Sequence, residues 1–142
     1  MKISIFEDRL EIDESAITEP CEEIRKQVRE YEAGERELFD LDVRMADGIL
    51  GDAMAAMAEI PYGKTRTYGE VAAEIDTAPI VVGQACGRNP VPLVVPCHRV
   101  VGSDGDLKGY SGGDGIATKR RLLDLESSRS GAGSVQTRLS TE

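Results

Sequence analysis

Residues 67–90 read TYGEVAAEIDTAPIVVGQACGRNP, and this stretch decides the fold prediction. Thr67 and Glu70 have the spacing of a capping box, in which a hydroxyl and a carboxylate satisfy the free backbone amides at a helix start. A helix is therefore predicted over Tyr68–Ile75. A second helix is predicted over Pro79–Arg88, because proline is favoured in the first turn of a helix. Two short helices joined by a tight turn indicate a helix-turn-helix.

The residues after these helices place Cys97 beside His98, the only histidine of the chain. They follow a predicted short buried strand, Leu93–Val95. A thiol becomes a nucleophile when a base or a positive field favours the thiolate. The imidazole could reach the thiol directly or through a water, and a carboxylate would be needed to orient it. An isolated Cys-His pair is more often a buried cysteine next to an incidental histidine, so the flanking sequence has to decide.

Residues 1–45 are predicted to form a small α/β part in front of the helix-turn-helix. The expected elements are a strand at Lys2–Phe6, a turn at Asp8-Arg9, a helix from about Glu19 to Gly34 and a half-buried strand at Leu38–Val43.

A further helix is predicted at Asp47–Glu59 and a last one over Lys119–Glu126. The first of these carries an apolar stripe that we expect to be core, made of Ile49, Leu50, Ala53, Met54 and Met57. Residues 127–142 are polar and without periodicity, so they are predicted to be a disordered tail.

The chain has 142 residues and a formal net charge of −9, from 26 acidic and 17 basic residues. Such an acidic chain would not be chosen as a nucleic-acid binder, since phosphate binding normally needs basic surface. However, residues 1–60 hold 17 acids and 7 bases, whereas residues 61–126 hold 8 of each. Charge therefore does not exclude nucleic acid for the second part. Its low basicity indicates either modest affinity or a high-salt, halophile-like cytoplasm in which phosphate attraction is screened.

No apolar run is long enough to cross a bilayer, and the first residues lack a secretion-signal pattern, so a cytoplasmic protein is expected. In that compartment Cys21, Cys86 and Cys97 should be reduced. With no CxxC pair and a single histidine, no metal site is predicted.

Three blocks of sequence resemble the O6-alkylguanine-DNA alkyltransferases, also called methylated-DNA–protein-cysteine methyltransferases. They are IPYGKTRTYGEVAAEI at 60–75, GQACGRNPVPLVVPCHRVVGSDG at 83–105 and GYSGG at 109–113. The resemblance is close over 60–126 and weaker over 31–43. It implies an α+β protein: a reduced α/β part is followed by a winged-helix-like DNA-binding and alkyltransferase domain over residues 46–126.

The resemblance implies that the protein repairs DNA directly. The family transfers the alkyl group from guanine O6 in double-stranded DNA to a cysteine, here Cys97, irreversibly and without a cofactor. The histidine after the nucleophile acts as base through a water, and a glutamate on the last helix orients it; His98 and Glu126 occupy those positions. Asn89 matches the residue that orders the turn between the recognition helix and the nucleophile.

The resemblance also assigns the guanine pocket. Tyr110 and Ser111 match a hydroxyl and a backbone amide at guanine O6, where donors would stabilise the leaving anion. The carbonyl of Val100 matches an acceptor for the guanine amino group, and Pro92 matches a pocket wall. Cys86 matches another wall position, although a small buried apolar residue explains it equally well.

A base buried in a duplex must leave the stack before a protein nucleophile can reach it. In the family the helix-turn-helix enters the minor groove, and Tyr68 matches a tyrosine that rotates the target phosphate. Lys64 and Arg66 could meet phosphates. Ile80 replaces the arginine that usually fills the space of the flipped base, and we expect it to act as an apolar wedge. Arg88, also assigned to the substrate-binding surface, lies about 12 Å farther along the helix axis and cannot replace that arginine.

The prediction is thus a monomeric alkyltransferase that needs no metal and binds no membrane. One alternative is an alkyltransferase-like protein that flips alkylguanine and flags it for another pathway without transfer. A more distant one is a cysteine hydrolase. The intact Cys97 favours transfer over the first, and the surrounding pocket motif disfavours the second.

Overall fold

The computed structural model describes residues 1–105, 107 and 115–130. Its architecture is α+β, as the sequence predicts. In chain order the elements are β1 (Lys2–Ile5), β2 (Asp8–Glu11), α1 (Cys21–Glu32), α2 (Gly48–Ala58), β3 (Arg66–Thr67), α3 (Tyr68–Glu74), α4 (Pro79–Arg88), β4 (Val100–Val101) and α5 (Ile116–Ser130). Within the described ranges, no helix is long and apolar enough to span a membrane.

The N-terminal hairpin corrects one prediction. The predicted turn at Asp8-Arg9 is wrong, because Asp8 already begins β2, which pairs antiparallel with β1. The chain turns earlier, at Phe6, whose φ of 55° lies in the left-handed region. Leu10 and Ile5 are both buried in the resulting register, and the pairing register is specified by that burial.

Helix α1 lies where the sequence predicts, and Gly34 follows its end with a φ of +80°. The strand predicted at Leu38–Val43 is wrong: within this segment only Val43 makes a bridge, to Ile17. Side chains replace the missing neighbour strand. The amide of Gln27 on α1 bonds both the N–H and the C=O of residue 40, at 2.8 and 3.1 Å. The backbone N–H and C=O of residue 40 therefore have hydrogen-bond partners without a sheet.

Helix α2 buries most of the apolar stripe predicted for it, since Ala53 is fully buried and Leu50 packs against the core, but it does not bury Ile49. Met54 and Met57 are fully buried, but Ile49 is 44% exposed. At Gly51, which is buried, an added Cβ would come 1.7 Å from the carbonyl oxygen of Ala46, so the chain before α2 packs directly on the helix at this glycine.

The two helices of the predicted helix-turn-helix are present as α3 and α4. Thr67 and Glu70 form the capping box on both sides. Residues Val82, Ala85 and Cys86 of α4 are buried. Strand β3 pairs in parallel with β4, Arg66 opposite Val100. This pairing places the start of α3 beside the residues that follow Cys97.

Two predictions near the end of the chain also need correction. Leu93–Val95 is a loop and not a strand: Leu93 has a φ of +78°, and only a Pro92–Val95 bridge is formed. Pro92 and Pro96, on either side of the segment, have no N–H to donate to a neighbouring strand. Helix α5 continues to Ser130, so residues 127–130 are helical and not disordered. Arg129 holds this end by donating to the carbonyl of Ala33 at 3.1 Å. Residues 131–142 lie outside the described part.

Candidate active site

Cys97 begins a short 3₁₀ turn, Cys97–Arg99, directly before β4. Its side chain is almost fully buried, at 1% exposure. Burial raises the pKa of this thiol to about 11, although a hydrogen bond with Asn89 and the positive charge of Lys119 act in the opposite direction. The resting thiol is therefore protonated at neutral pH and needs a base to react.

His98, the next residue in the chain, is the base that the sequence predicts. Its ring is fully buried, and Nε2 lies 2.7 Å from Oε2 of Glu126. Because the carboxylate is an acceptor, Nε2 carries the proton and Nδ1 keeps its lone pair. Among the residues that the structure describes, none bonds this buried Nδ1. Burial also lowers the pKa of His98, against the opposing effect of Glu126, so the imidazole is neutral at neutral pH.

Glu126 lies on α5 and is 1% exposed. Five hydrogen bonds reach its carboxylate: His98 Nε2 at 2.7 Å, Tyr31 OH at 2.6 Å, Arg99 Nε and Nη2 at 2.9 Å each, and Gly63 N at 3.3 Å. Burial favours the neutral acid. The hydrogen bonds from His98 and Arg99, with the positive charge of Arg99, outweigh it and hold the pKa of Glu126 at about 2. The carboxylate therefore stays ionised and fixed in orientation.

Asn89 directly follows α4. It joins this helix to residues 90–96, which lead to Cys97 and form the nucleophile loop. Its Nδ2 donates to the carbonyl of Val95 at 2.9 Å, and its Oδ1 accepts from the N–H of Val91 at 3.0 Å. The side chain is buried. One residue thus sets the path of the chain from α4 to Cys97, which is the geometric part of the role predicted for it.

The carbonyl of Val100 has a neighbour that the sequence did not suggest. Buried Lys119 donates to it at 2.6 Å and lies 5.7 Å from the ring centre of Tyr68. A carbonyl oxygen has two lone pairs, so this bond leaves one for another donor. Tyr68 is half-buried, and burial, with the nearby thiols of Cys86 and Cys97, raises its pKa to about 12.

The remaining predicted residues are spread over the surface and the core. Ile80 is 71% exposed near the start of α4, and Arg88 is exposed at its end. Pro92 is buried in the nucleophile loop. The thiol of Cys86 is buried and lies 3.6 Å from the sulfur of Met57, which is the contact of a core residue. Tyr110 and Ser111 lie outside the described residues.

Three residues of the site were missed by sequence reasoning: Tyr31, Arg99 and Lys119. Arg99 stands in the same block as Cys97, so its place in the motif was a usable signal. Lys119 marked only the start of a predicted helix. Tyr31 was interpreted as one of the apolar positions of α1, and 95 residues separate it from Glu126.

Fold and site together define a class. It is an α+β protein with a buried cysteine beside a helix-turn-helix, and the cysteine is followed in the chain by a histidine that bonds a carboxylate. The family model described as "6-O-methylguanine DNA methyltransferase, DNA binding domain" matches residues 51–128, more than half of the chain. The chain belongs to this family.

Named relatives agree with this assignment. The methylated-DNA–protein-cysteine methyltransferase of Mycobacterium tuberculosis is 48% identical over 110 residues, which cover 75% of this chain and 65% of the relative. That of Methanosarcina acetivorans is 43% identical over 109 residues, covering 75% of this chain and 69% of the relative. This chain therefore spans about two thirds of the length of these relatives.

Solved structures lead to the same family. A crystal structure of the Mycobacterium tuberculosis protein OGT in complex with DNA matches with a TM-score of 0.71 and 43% identity, covering 76% of this chain and 68% of that one. The Mycobacterium tuberculosis O6-methylguanine methyltransferase matches with the same TM-score and identity, covering 78% and 68%.

Proposed function

We propose that this chain repairs O6-alkylguanine in double-stranded DNA by transferring the alkyl group to Cys97 in a single turnover. One observation carries the proposal: next to the protonated thiol stands a buried neutral histidine whose Nε2 is held by Glu126 at 2.7 Å, with Nδ1 unbonded by any described residue. In this arrangement His98 can accept a proton only at Nδ1, on the side of the ring away from the carboxylate. No cofactor is needed for the chemistry that follows.

The reaction balances with this chain and the damaged base alone. The thiol proton passes to Nδ1 of His98, directly or through a water, and the imidazolium is stabilised by Glu126. The sulfur electron pair forms the bond to the alkyl carbon while the bond from that carbon to O6 breaks. Guanine leaves as an anion and takes up a proton, and His98 returns its proton to solvent. The product is a thioether on Cys97, so each molecule reacts once.

The pocket residues are assigned by the resemblance of the GYSGG block and the nucleophile loop. Tyr110 and the amide of Ser111 would stabilise charge at O6. The second lone pair of the Val100 carbonyl would accept from the guanine amino group, and buried Pro92 would line the pocket. In this scheme Asn89 acts on the reaction by holding the loop that carries Cys97.

The helix-turn-helix would bring the base to this pocket from the minor groove, in a winged-helix-like domain. Tyr68 at the start of α3 would turn the target phosphate. Ile80 would occupy the stack left by the flipped base, since its side chain is exposed at the start of α4 and contributes to no core. Arg88, exposed at the end of the same helix, would contact the backbone. We place the reaction in a monomer in the cytoplasm.

Intact-mass measurement tests the proposal. The protein is incubated with a duplex containing one O6-methylguanine, and in parallel with the same duplex containing guanine. We expect a gain of one methyl group with the damaged duplex only, and none in Cys97→Ser. Binding of the damaged duplex without any mass gain would overturn the proposal and support the lesion-binding alternative.

A further inference from the structure

We infer that Tyr31, on helix α1 of the acidic N-terminal part, is a positioning residue for the His98–Glu126 pair. The inference rests on the proposed function, since the pair matters only if His98 is the base. It gives the N-terminal part a role in the chemistry, beyond supporting the second domain.

The Tyr31 hydroxyl bonds the same carboxylate oxygen of Glu126 that bonds His98. It donates to Oε2 of Glu126 at 2.6 Å, the same oxygen that bonds Nε2 of His98 at 2.7 Å. Tyr31 is fully buried. Its ring is stacked on Phe39 at 5.5 Å between centroids and meets the edge of Tyr62 at 6.1 Å. The phenol is therefore held in one direction by packing on two sides.

A donor on Oε2 has two consequences for His98. It fixes the carboxylate so that the imidazole ring, bonded to the same oxygen, keeps Nδ1 directed away from Glu126. It also takes up part of the negative charge of that oxygen, which weakens its pull on an imidazolium. Burial and the charge of Glu126 raise the pKa of Tyr31 well above its usual range, so the hydroxyl remains a donor at all working pH values.

Other groups acting on the pair stay in place when Tyr31 is changed. Arg99 on the 3₁₀ turn bonds both oxygens of Glu126, and Lys119 on α5 acts on His98 by its charge. Tyr62, between α2 and β3, lies under the guanidinium of Arg99 at 5.7 Å. Loss of the Tyr31 hydroxyl therefore removes one donor from Oε2 and leaves the ion pair intact.

The test variant is Tyr31→Phe, and Tyr62→Phe is its matched control. Both remove one phenolic hydroxyl from the same aromatic cluster, but of these two hydroxyls only that of Tyr31 bonds Glu126 in the described part of the chain. His98 is the only histidine of the chain, so a sample labelled with ¹⁵N-histidine reports the pair without assignment. The second measurement is the single-turnover rate of methyl transfer as a function of pH, with the end point giving the active fraction.

We expect two changes in Tyr31→Phe and neither in Tyr62→Phe. The Nε2–H resonance of His98 should move downfield. The carboxylate has lost the Tyr31 donor, so its hydrogen bond with Nε2–H becomes stronger. The acidic limb of the rate profile should move up by about half to one pH unit, which makes the rate on that limb about 3- to 10-fold lower.

A merely structural Tyr31 would lower the end point or the melting temperature but leave both readouts unchanged, and that result overturns the inference. So does a resonance that moves without the rate profile. If the wild-type protein transfers no methyl group, the proposed function fails; the histidine resonance still decides whether Tyr31 acts on the pair.

Discussion

Oε2 of Glu126 lies 2.7 Å from Nε2 of His98, inside a site where both side chains are shielded from solvent. The bond fixes the tautomer of the only histidine in the chain and leaves Nδ1 as its basic nitrogen. A buried carboxylate that is bonded this completely costs little reorganisation when the histidine accepts a proton. In the proposed reaction the pair therefore connects helix α5 to Cys97.

Glu126→Gln should slow methyl transfer by about 100-fold, because an amide cannot stabilise the imidazolium and can present a donor to Nε2. Single-turnover rates at saturating duplex measure the effect. Asp124→Asn is the control, since it neutralises an exposed carboxylate on the same helix. A Glu126→Gln rate within threefold of the Asp124→Asn rate would contradict the assignment of His98 as base.

Stability should fall in acid in two steps. The pKa of His98 is lowered by burial, so the unfolded chain binds a proton that the folded chain does not, and stability is lost as the pH falls below about 6.5. Glu126, held at about 2 in the fold against 4.5, contributes stability above pH 4.5 that is lost as the pH falls toward 2. Urea unfolding between pH 8 and pH 3 measures both.

Glu126→Gln should remove the lower of these two steps and leave the upper one. Unchanged stability between pH 7 and pH 3 in the wild-type chain would show that the fold holds neither His98 as the neutral imidazole nor Glu126 as the carboxylate.

Ile80→Arg should raise affinity for duplex DNA about fivefold at low salt and increase the transfer rate, because the side chain adds a charge and hydrogen bonds where the exposed isoleucine has none. Fluorescence anisotropy and single-turnover assays measure the two effects. Ala55→Arg, which adds the same charge at an exposed position of α2, is the control. If affinity and rate both stay at wild-type values, Ile80 does not lie in the DNA.

Duplex binding should depend weakly on salt. Residues 61–103 hold four basic residues, and two of them are paired, Arg66 with Glu74 and Arg99 with Glu126. Lys64 and Arg88 are exposed. Neutralising two or three phosphates gives a slope of log K against log salt of about −2 to −3. A slope as steep as that of a strongly basic DNA binder would contradict this account of the charge.

The sequence predicted the fold best where local chemistry decides it. The capping box at Thr67 and the proline at the start of α4 are local signals that mark where their helices begin. The strand predicted at residues 38–43 failed for the opposite reason: alternation shows which side chains are buried, but not whether a partner strand exists. Here the side-chain amide of Gln27, and not a partner strand, bonds the backbone of residue 40.

The same limit applies to the site. Cys97, His98 and Asn89 lie within one short stretch and form a motif. Tyr31 reaches Glu126 only because the fold brings together two residues that are 95 positions apart in the sequence. Nothing in the spacing of an amphipathic helix separates a core tyrosine from one that donates a hydrogen bond to a carboxylate.

The identity of the methyl acceptor tests the central claim most directly. After reaction with a duplex carrying one O6-methylguanine, the protein is digested and the peptides containing Cys21, Cys86 and Cys97 are weighed. We predict one methyl group per protein, all of it on Cys97, and guanine restored in the duplex. A methyl group on Cys21 or Cys86, or repaired DNA with an unmodified Cys97, would contradict the account.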